Sequence, residues 1–320
     1  MIPIQSAKNL IEETLTPLIE NFGKIALFDF PNYANVGDSA IWLGTMDFLK
    51  ENAPYSSIVW MSDIKSLNPE NLPTFDKDTV LIINGGGNFG DLWNEHQTHR
   101  ELIVSRYLEN RVIQLPQSIH FENEENLERT KATLEKHNDF HLVVRDSESF
   151  DIAKNISKDS LYLCPDMAFY IRKIPKLKKP EHSIVALMRT DKEGAIFTDD
   201  GDSEIPVFDW LSEPKSAAMH FDKFMKHYPS INRIFRPFLY RRLAEERFKR
   251  GCNLLMQGNV VITDRLHAHI MCSLLGITSI VMDNSYGKIH NFLDAWDSKS
   301  DSALRADSFC NAVALAKACS

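Results

Sequence analysis

Short apolar runs that end in a polar turn and reopen as a helix recur along this chain. They limit its fold more tightly than any other feature. Residues 24–30, 57–61, 79–84, 111–115, 141–145 and 161–166 read as strands. Between them, 4–22, 39–52, 95–109, 127–136 and 147–155 read as helices, most of them from apolar residues at helical spacing. This strand–turn–helix rhythm predicts a parallel, doubly wound α/β sheet. The basic, proline-bearing stretch 172–180 breaks the rhythm and reads as an exposed linker. Strands are then expected at 183–188, 231–238, 259–263 and 278–283, and helices at 215–227, 239–257, 267–275 and 311–318. A chain of 320 residues is long for one core. The expected architecture is two Rossmann-like domains, 1–172 and 183–320, joined by a linker at 173–182, with a ligand site in the central cleft between them.

Composition narrows the class. Hydrophobic content of 43% and charged content of 25% are those of a soluble globular protein. A net charge of −8 argues against a general nucleic-acid binder. The first residues lack a basic-then-apolar signal layout, and no apolar run approaches the ~18 residues of a spanning helix. Five scattered cysteines without a CxxC pair suit reduced thiols in a cytoplasmic protein. Cys252 and Cys272 are expected in the core. The acidic stretch 198–204 lacks the ligand spacing of a calcium loop and reads as a mobile loop. His96 and His99 are expected on a helix surface, and with no third ligand nearby no metal site is expected.

The richest chemistry lies at 260–270, where an apolar strand delivers Arg265 and His267 to a sheet mouth. In open α/β sheets ligands sit outside the carboxyl ends of the strands. An arginine there can grip a carboxylate or phosphate with two parallel hydrogen bonds. A histidine there can move protons near neutral pH. His269, two residues on, cannot share a helix face with His267. Arg145 also ends a strand, and reads either as an anion clamp or as a partner of Asp146. The turns at 35–38 and 85–91 follow strands and would converge on one rim. Their glycines, Gly86 and Gly87, let backbone amides approach a ligand. Asp38, Asn88 and Asp91 are candidate ligand contacts on that rim. His120 is a second acid/base candidate, and Lys288 a second phosphate contact.

These pieces, taken in order, resemble the polysaccharide pyruvyl transferase family. The resemblance rests on Asn35-Val36-Gly37-Asp38, on Gly85-Gly86-Gly87-Asn88-Phe89-Gly90-Asp91 and on Pro116-Gln117-Ser118. It continues through Arg145-Asp146-Ser147-Glu148-Ser149, Pro165-Asp166, Thr263-Asp264-Arg265-Leu266-His267 and the run from Asp283 to Lys288. Each motif is short, and the ordered set is the specific signal. The resemblance implies a GT-B-like fold and phosphoenolpyruvate as donor substrate, with no cofactor. The acceptor it implies is a hexose of a surface polysaccharide or of its lipid-linked precursor. The implied product is a pyruvate ketal, with release of phosphate. By the same resemblance Arg265, His267 and Arg145 belong to donor binding and catalysis. Asp38, Asn88 and Asp91 are then candidates for sugar hydroxyls or for the donor-side rim, and Asn35, Gln117, Ser118 and Leu266 join the candidate substrate contacts. A lipid-linked acceptor would bring the enzyme to the inner face of the membrane. Two other classes share the expected architecture: a nucleotide-sugar glycosyltransferase and a non-catalytic binder of acidic sugars.

Overall fold

The computed structural model describes residues 2–157, 160–190, 205–283, 287–296 and 304–319. The chain begins with α1 (Ile4–Ile19), β1 (Lys24–Phe28), α2 (Val36–Asn52), β2 (Ser57–Met61), β3 (Thr79–Ile83) and β4 (Gly86–Gly90). It continues with α3 (Asn94–Arg106), β5 (Val112–His120), α4 (Glu124–Leu134), β6 (Phe140–Val144), α5 (Ser147–Ala153) and β7 (Leu161–Leu163). These strands pair in the order β2-β1-β3-β5-β6-β7, and β4 also pairs with β5. Residues 172–180 then run without regular structure.

A second sheet follows. Its elements are β8 (His182–Leu187), β9 (Val207–Phe208), α6 (Ala217–Met225), α7 (Pro229–Leu255), β10 (Gly258–Thr263) and α8 (Leu266–Leu275). Then come β11 (Thr278–Met282), α9 (Lys288–Trp296), β12 (Leu304–Ala306) and α10 (Phe309–Cys319). Its order is β12-β11-β10-β8-β9. The described strand pairs are parallel in both sheets. Helices cover parallel strands on both faces, so β1, β3 and β6 read as continuous apolar runs. One buried cluster joins Ile25 and Val143 of the first sheet to Val185 and Val261 of the second, through α1, α2, α7 and α8.

Three expectations are corrected. Residues 231–238 are not a strand but part of the 27-residue α7. Their Ile and Phe content favours strands, but Ile231, Ile234, Phe235 and Phe238 are spaced i, i+3, i+4, i+7, which is the helical period. The glycine run is not only a turn, since Gly86–Gly90 forms β4 along the second half of β5. Pro116-Gln117-Ser118, whose proline after the strand expected at 111–115 reads as a turn, is not a turn either. It lies inside β5, where the register against β6 shifts between Gln114 and Gln117. An irregularity of this kind tolerates a residue without an N–H. The elements β9, α9 and β12 carry too short or too mixed a pattern to be expected. The acidic stretch 198–204 lies outside the described residues. Cys252 and Cys272 are buried as expected, and so is Cys164.

Candidate active site

Both sheets change winding direction where the cavity forms. In the first, β1 lies between β2 and β3; in the second, β8 lies between β9 and β10. Such a reversal opens a crevice at the strands' carboxyl ends. A cavity of about 740 Å³ lies there. The segments after β1, β4 and β6 line one side, and those after β8, β9 and β10 line the other.

The second side is cationic. Arg265 ends the extended segment after β10 and stands at the N-cap of α8. Its backbone N–H donates to Thr263 Oγ1, whose hydroxyl donates to the Leu187 carbonyl of β8. The guanidinium donates to Asp209 at 2.6 Å and lies 5.3 Å from the Trp210 ring centroid. Arg189, just after β8, lines the same cavity. No side chain caps the first turn of α8, whose Leu266 and His267 border the cavity. Helix N-termini of this kind favour anions.

Arg145 reaches the cavity from the first sheet. It is 2% exposed and donates to Asp166 Oδ2 at 2.6 Å and to Ser118 Oγ at 2.9 Å. Ser118 passes its own hydroxyl hydrogen to Asp146 at 2.6 Å. His267 Nε2 lies 3.3 Å from the same Asp166 oxygen and 3.4 Å from Arg145 Nη1. One fully buried carboxylate thus joins the arginine of one sheet to the histidine of the other. Burial works to raise the Asp166 pKa, but the charges and hydrogen bonds of His267 and Arg145 outweigh it, and the carboxyl titrates well below its usual range. The His267 ring packs against the first turn of α2, where a Cβ on Gly37 would overlap it.

The opposite rim carries neutral and acidic polar side chains. Asn35 caps α2 by accepting from the Gly37 N–H, and its amide donates to Asp38 Oδ2 at 2.8 Å. Tyr33 donates to the same oxygen at 3.0 Å. Asn88 is fixed behind the rim, its Oδ1 accepting from Arg100 at 2.8 Å and from Gln117 at 2.6 Å. His96 also lines the cavity, with Nδ1 3.0 Å from both oxygens of buried Asp29. Burial opposes charge on this imidazole, but Asp29 prevails and raises its pKa. The same pairing lowers Asp29 against its own burial.

Of the residues singled out in the sequence, Asn35, Asp38, Gly87, Asn88, Asp91, Arg145, Arg265, Leu266 and His267 line this cavity. Gly86, Gln117 and Ser118 stand behind it. Gln117 and Ser118 act there as supports, through Asn88 and Arg145. Asp91 borders the cavity but turns its carboxylate to the Glu122 and Asn123 amides, both at 2.9 Å. His120 is not among the lining residues; its Nε2 lies 3.9 Å from the Glu122 carboxylate. The Lys288 side chain lies outside the described residues. Arg145 pairs with Asp166 rather than with Asp146, which caps α5. His96 and His99 are not solvated surface residues: the first faces the cavity and the second is buried. His269 is buried against Ser279, and His267 alone of that pair lines the cavity. No group of three or more metal-ligating side chains occurs among the described residues.

The fold and site define an α/β protein of two parallel sheets with arginines gathered at the strand ends around one cavity. The family model for polysaccharide pyruvyl transferases matches residues 35–286, and the chain belongs to that family. It is a pyruvyltransferase of polysaccharide biosynthesis. It is similar to EpsO of Bacillus subtilis (strain 168), which carries a pyruvyl transferase name, with 30% identity over 88% of each chain. It is also similar to Pyruvyl transferase 1 of Schizosaccharomyces pombe, with 31% identity over 85% of this chain and 69% of the relative. The crystal structure of an uncharacterized protein from Klebsiella pneumoniae shares the fold. It has a TM-score of 0.61 at 21% identity and covers 94% of this chain and 99% of its own.

Proposed function

We propose that this enzyme transfers the pyruvate unit of phosphoenolpyruvate to two hydroxyls of a hexose, within a surface polysaccharide or its lipid-linked precursor. The products are a cyclic pyruvate ketal and inorganic phosphate. The reading treats the two sheets as two domains, meeting at the linker, with the cavity as the cleft between them. The observation that carries it is the division of that cavity. Arg189, Arg265 and His267 on one side, with Arg145 reaching toward them from the first sheet, suit a carboxylate and a phosphate. Asp38, Asn88 and His96 lie on the side suited to sugar hydroxyls.

In this scheme His267, steadied by Asp166, delivers a proton to the methylene carbon of the donor and makes it a methyl group. The adjacent carbon becomes electron-poor and takes the first hydroxyl oxygen. His96, made more basic by Asp29, accepts that hydroxyl's proton. The second hydroxyl attacks the same carbon as the carbon–oxygen bond to phosphate breaks. Its proton leaves with the phosphate. Arginines around the departing oxyanion stabilise the charge as it develops. No redox change occurs: the second hydroxyl's proton leaves on phosphate, and the first passes from His96 to solvent, which returns one proton to His267 and closes the balance.

Reaction in deuterated water with phosphoenolpyruvate and a panel of hexosides tests this reading. The expected product is a ketal whose methyl group carries solvent deuterium, formed with one phosphate per ketal. Phosphate release that leaves the sugars unmodified overturns it.

A further inference from the structure

The outer face of the α6–α7 hairpin is apolar where a surface helix is ordinarily polar. In α7 the inward residues Leu239, Tyr240, Leu243 and Ala244 are buried in the core. The outward residues Ile231, Ile234, Phe235 and Phe238 are exposed, Ile234 at 76% and Phe238 at 69%. Phe221 and Phe224 of α6 extend this patch, and Phe221 meets Phe235 edge to face, with ring centroids 6.4 Å apart. An apolar surface of this extent marks a contact site.

Charge says what the contact is. Residues 215–242 hold seven lysines and arginines against one acid, Asp222, a local charge of +6 in a chain whose net charge is −8. The basic linker adds to it: Arg172 and Arg241 both meet Asp47, and Lys178 donates to Asn253 of α7. The linker therefore runs beside α7. A two-fold dimer through this face would set +6 against +6. A face of aromatic and aliphatic side chains among cations fits an interface where acyl chains meet anionic headgroups.

We propose that the α6–α7 hairpin docks the enzyme on an anionic lipid bilayer, lying in the headgroup region without crossing it. No helix among the described residues is long and apolar enough to span a membrane. The hairpin also braces the cavity wall. Asp222 accepts from Asn32, Arg247 donates to the Pro31 carbonyl, and Arg250 donates to the Ala34 carbonyl. These loop residues flank Tyr33 and Asn35, which line the cavity. Docking would thus hold the hydroxyl-binding rim close to the lipid surface. The proposal is independent of the donor's identity.

Co-sedimentation of the full chain with vesicles tests it. Vesicles of equal parts phosphatidylglycerol and phosphatidylcholine should pellet the protein, less so as salt rises, and pure phosphatidylcholine much less. The double variant Ile234→Ser/Phe238→Ser should bind the anionic vesicles roughly tenfold or more weakly, with an unchanged thermal midpoint. The variant Lys223→Glu/Arg242→Glu should lose the preference for anionic vesicles. Failure to pellet with anionic vesicles overturns the proposal, as does equal pelleting of wild type and the double serine variant. A wild-type dimer that the same serine substitutions convert to monomer assigns the face to a second copy and also overturns it.

Discussion

Gly37 has no side chain, and the His267 ring occupies the space one would need. In Gly37→Ala the added methyl must displace the imidazole or the start of α2. Overpacking of this kind costs about 1–3 kcal/mol. Turnover should fall further than stability, which denaturant unfolding beside an activity assay would separate. Asp166 carries a heavier load, because it neutralises buried Arg145 and faces His267 from full burial. Its folded pKa is depressed. The stabilisation is therefore fully present above the unfolded carboxyl's value of ~3.9 and is lost as pH falls below it. Asp166→Asn should cost on the order of 3 kcal/mol at neutral pH, because it leaves a buried cation without its countercharge. The deficit should narrow in acid, as the wild type loses the same term. Unfolding curves showing an equal gap at neutral pH and at about pH 3 would refute the ionised pair.

At the scale of elements, β4 shows how a glycine run can serve as structure. Gly90 has φ 116°, and a Cβ there would overlap the His120 carbonyl across the strand pair. Gly90→Ala should destabilise the fold by about 2 kcal/mol or more and loosen Asn88 on the rim. Urea midpoints measured with and without donor would register both effects. The sequence made the parallel strands legible because buried strands between helices are continuous apolar runs, as 24–28, 79–83 and 140–144 show. It was less legible where local composition and spacing disagree. In α7 the β-favouring Ile and Phe residues follow a helical period. In β5 a proline reads as a turn, yet a register shift accommodates it.

At the scale of the whole molecule, the cavity is lined by segments that follow strands of both parallel sheets, and one buried cluster spans the two sheets. Arg145, Arg265 and His267 were legible because polar groups at strand ends are costly to place without a ligand or partner. Asp166 and His96 were not recognised, since what makes them important lies far away in sequence. Asp166 meets His267 across 101 positions, and His96 meets Asp29 across 67. No spacing rule reaches such distances. His120 shows the converse: a short motif suggests a residue without saying which way it faces.

The central claim is that the arginine side of this cavity binds phosphoenolpyruvate. Calorimetric titration of the wild type and of Arg265→Ala, with nucleotide sugars as controls, tests it most directly. The account predicts saturable binding of phosphoenolpyruvate to the wild type, weakened at least about tenfold in Arg265→Ala, as expected when a charge-assisted contact is lost. Equal affinity in the two proteins, or saturable binding of a nucleotide sugar in place of phosphoenolpyruvate, would contradict it.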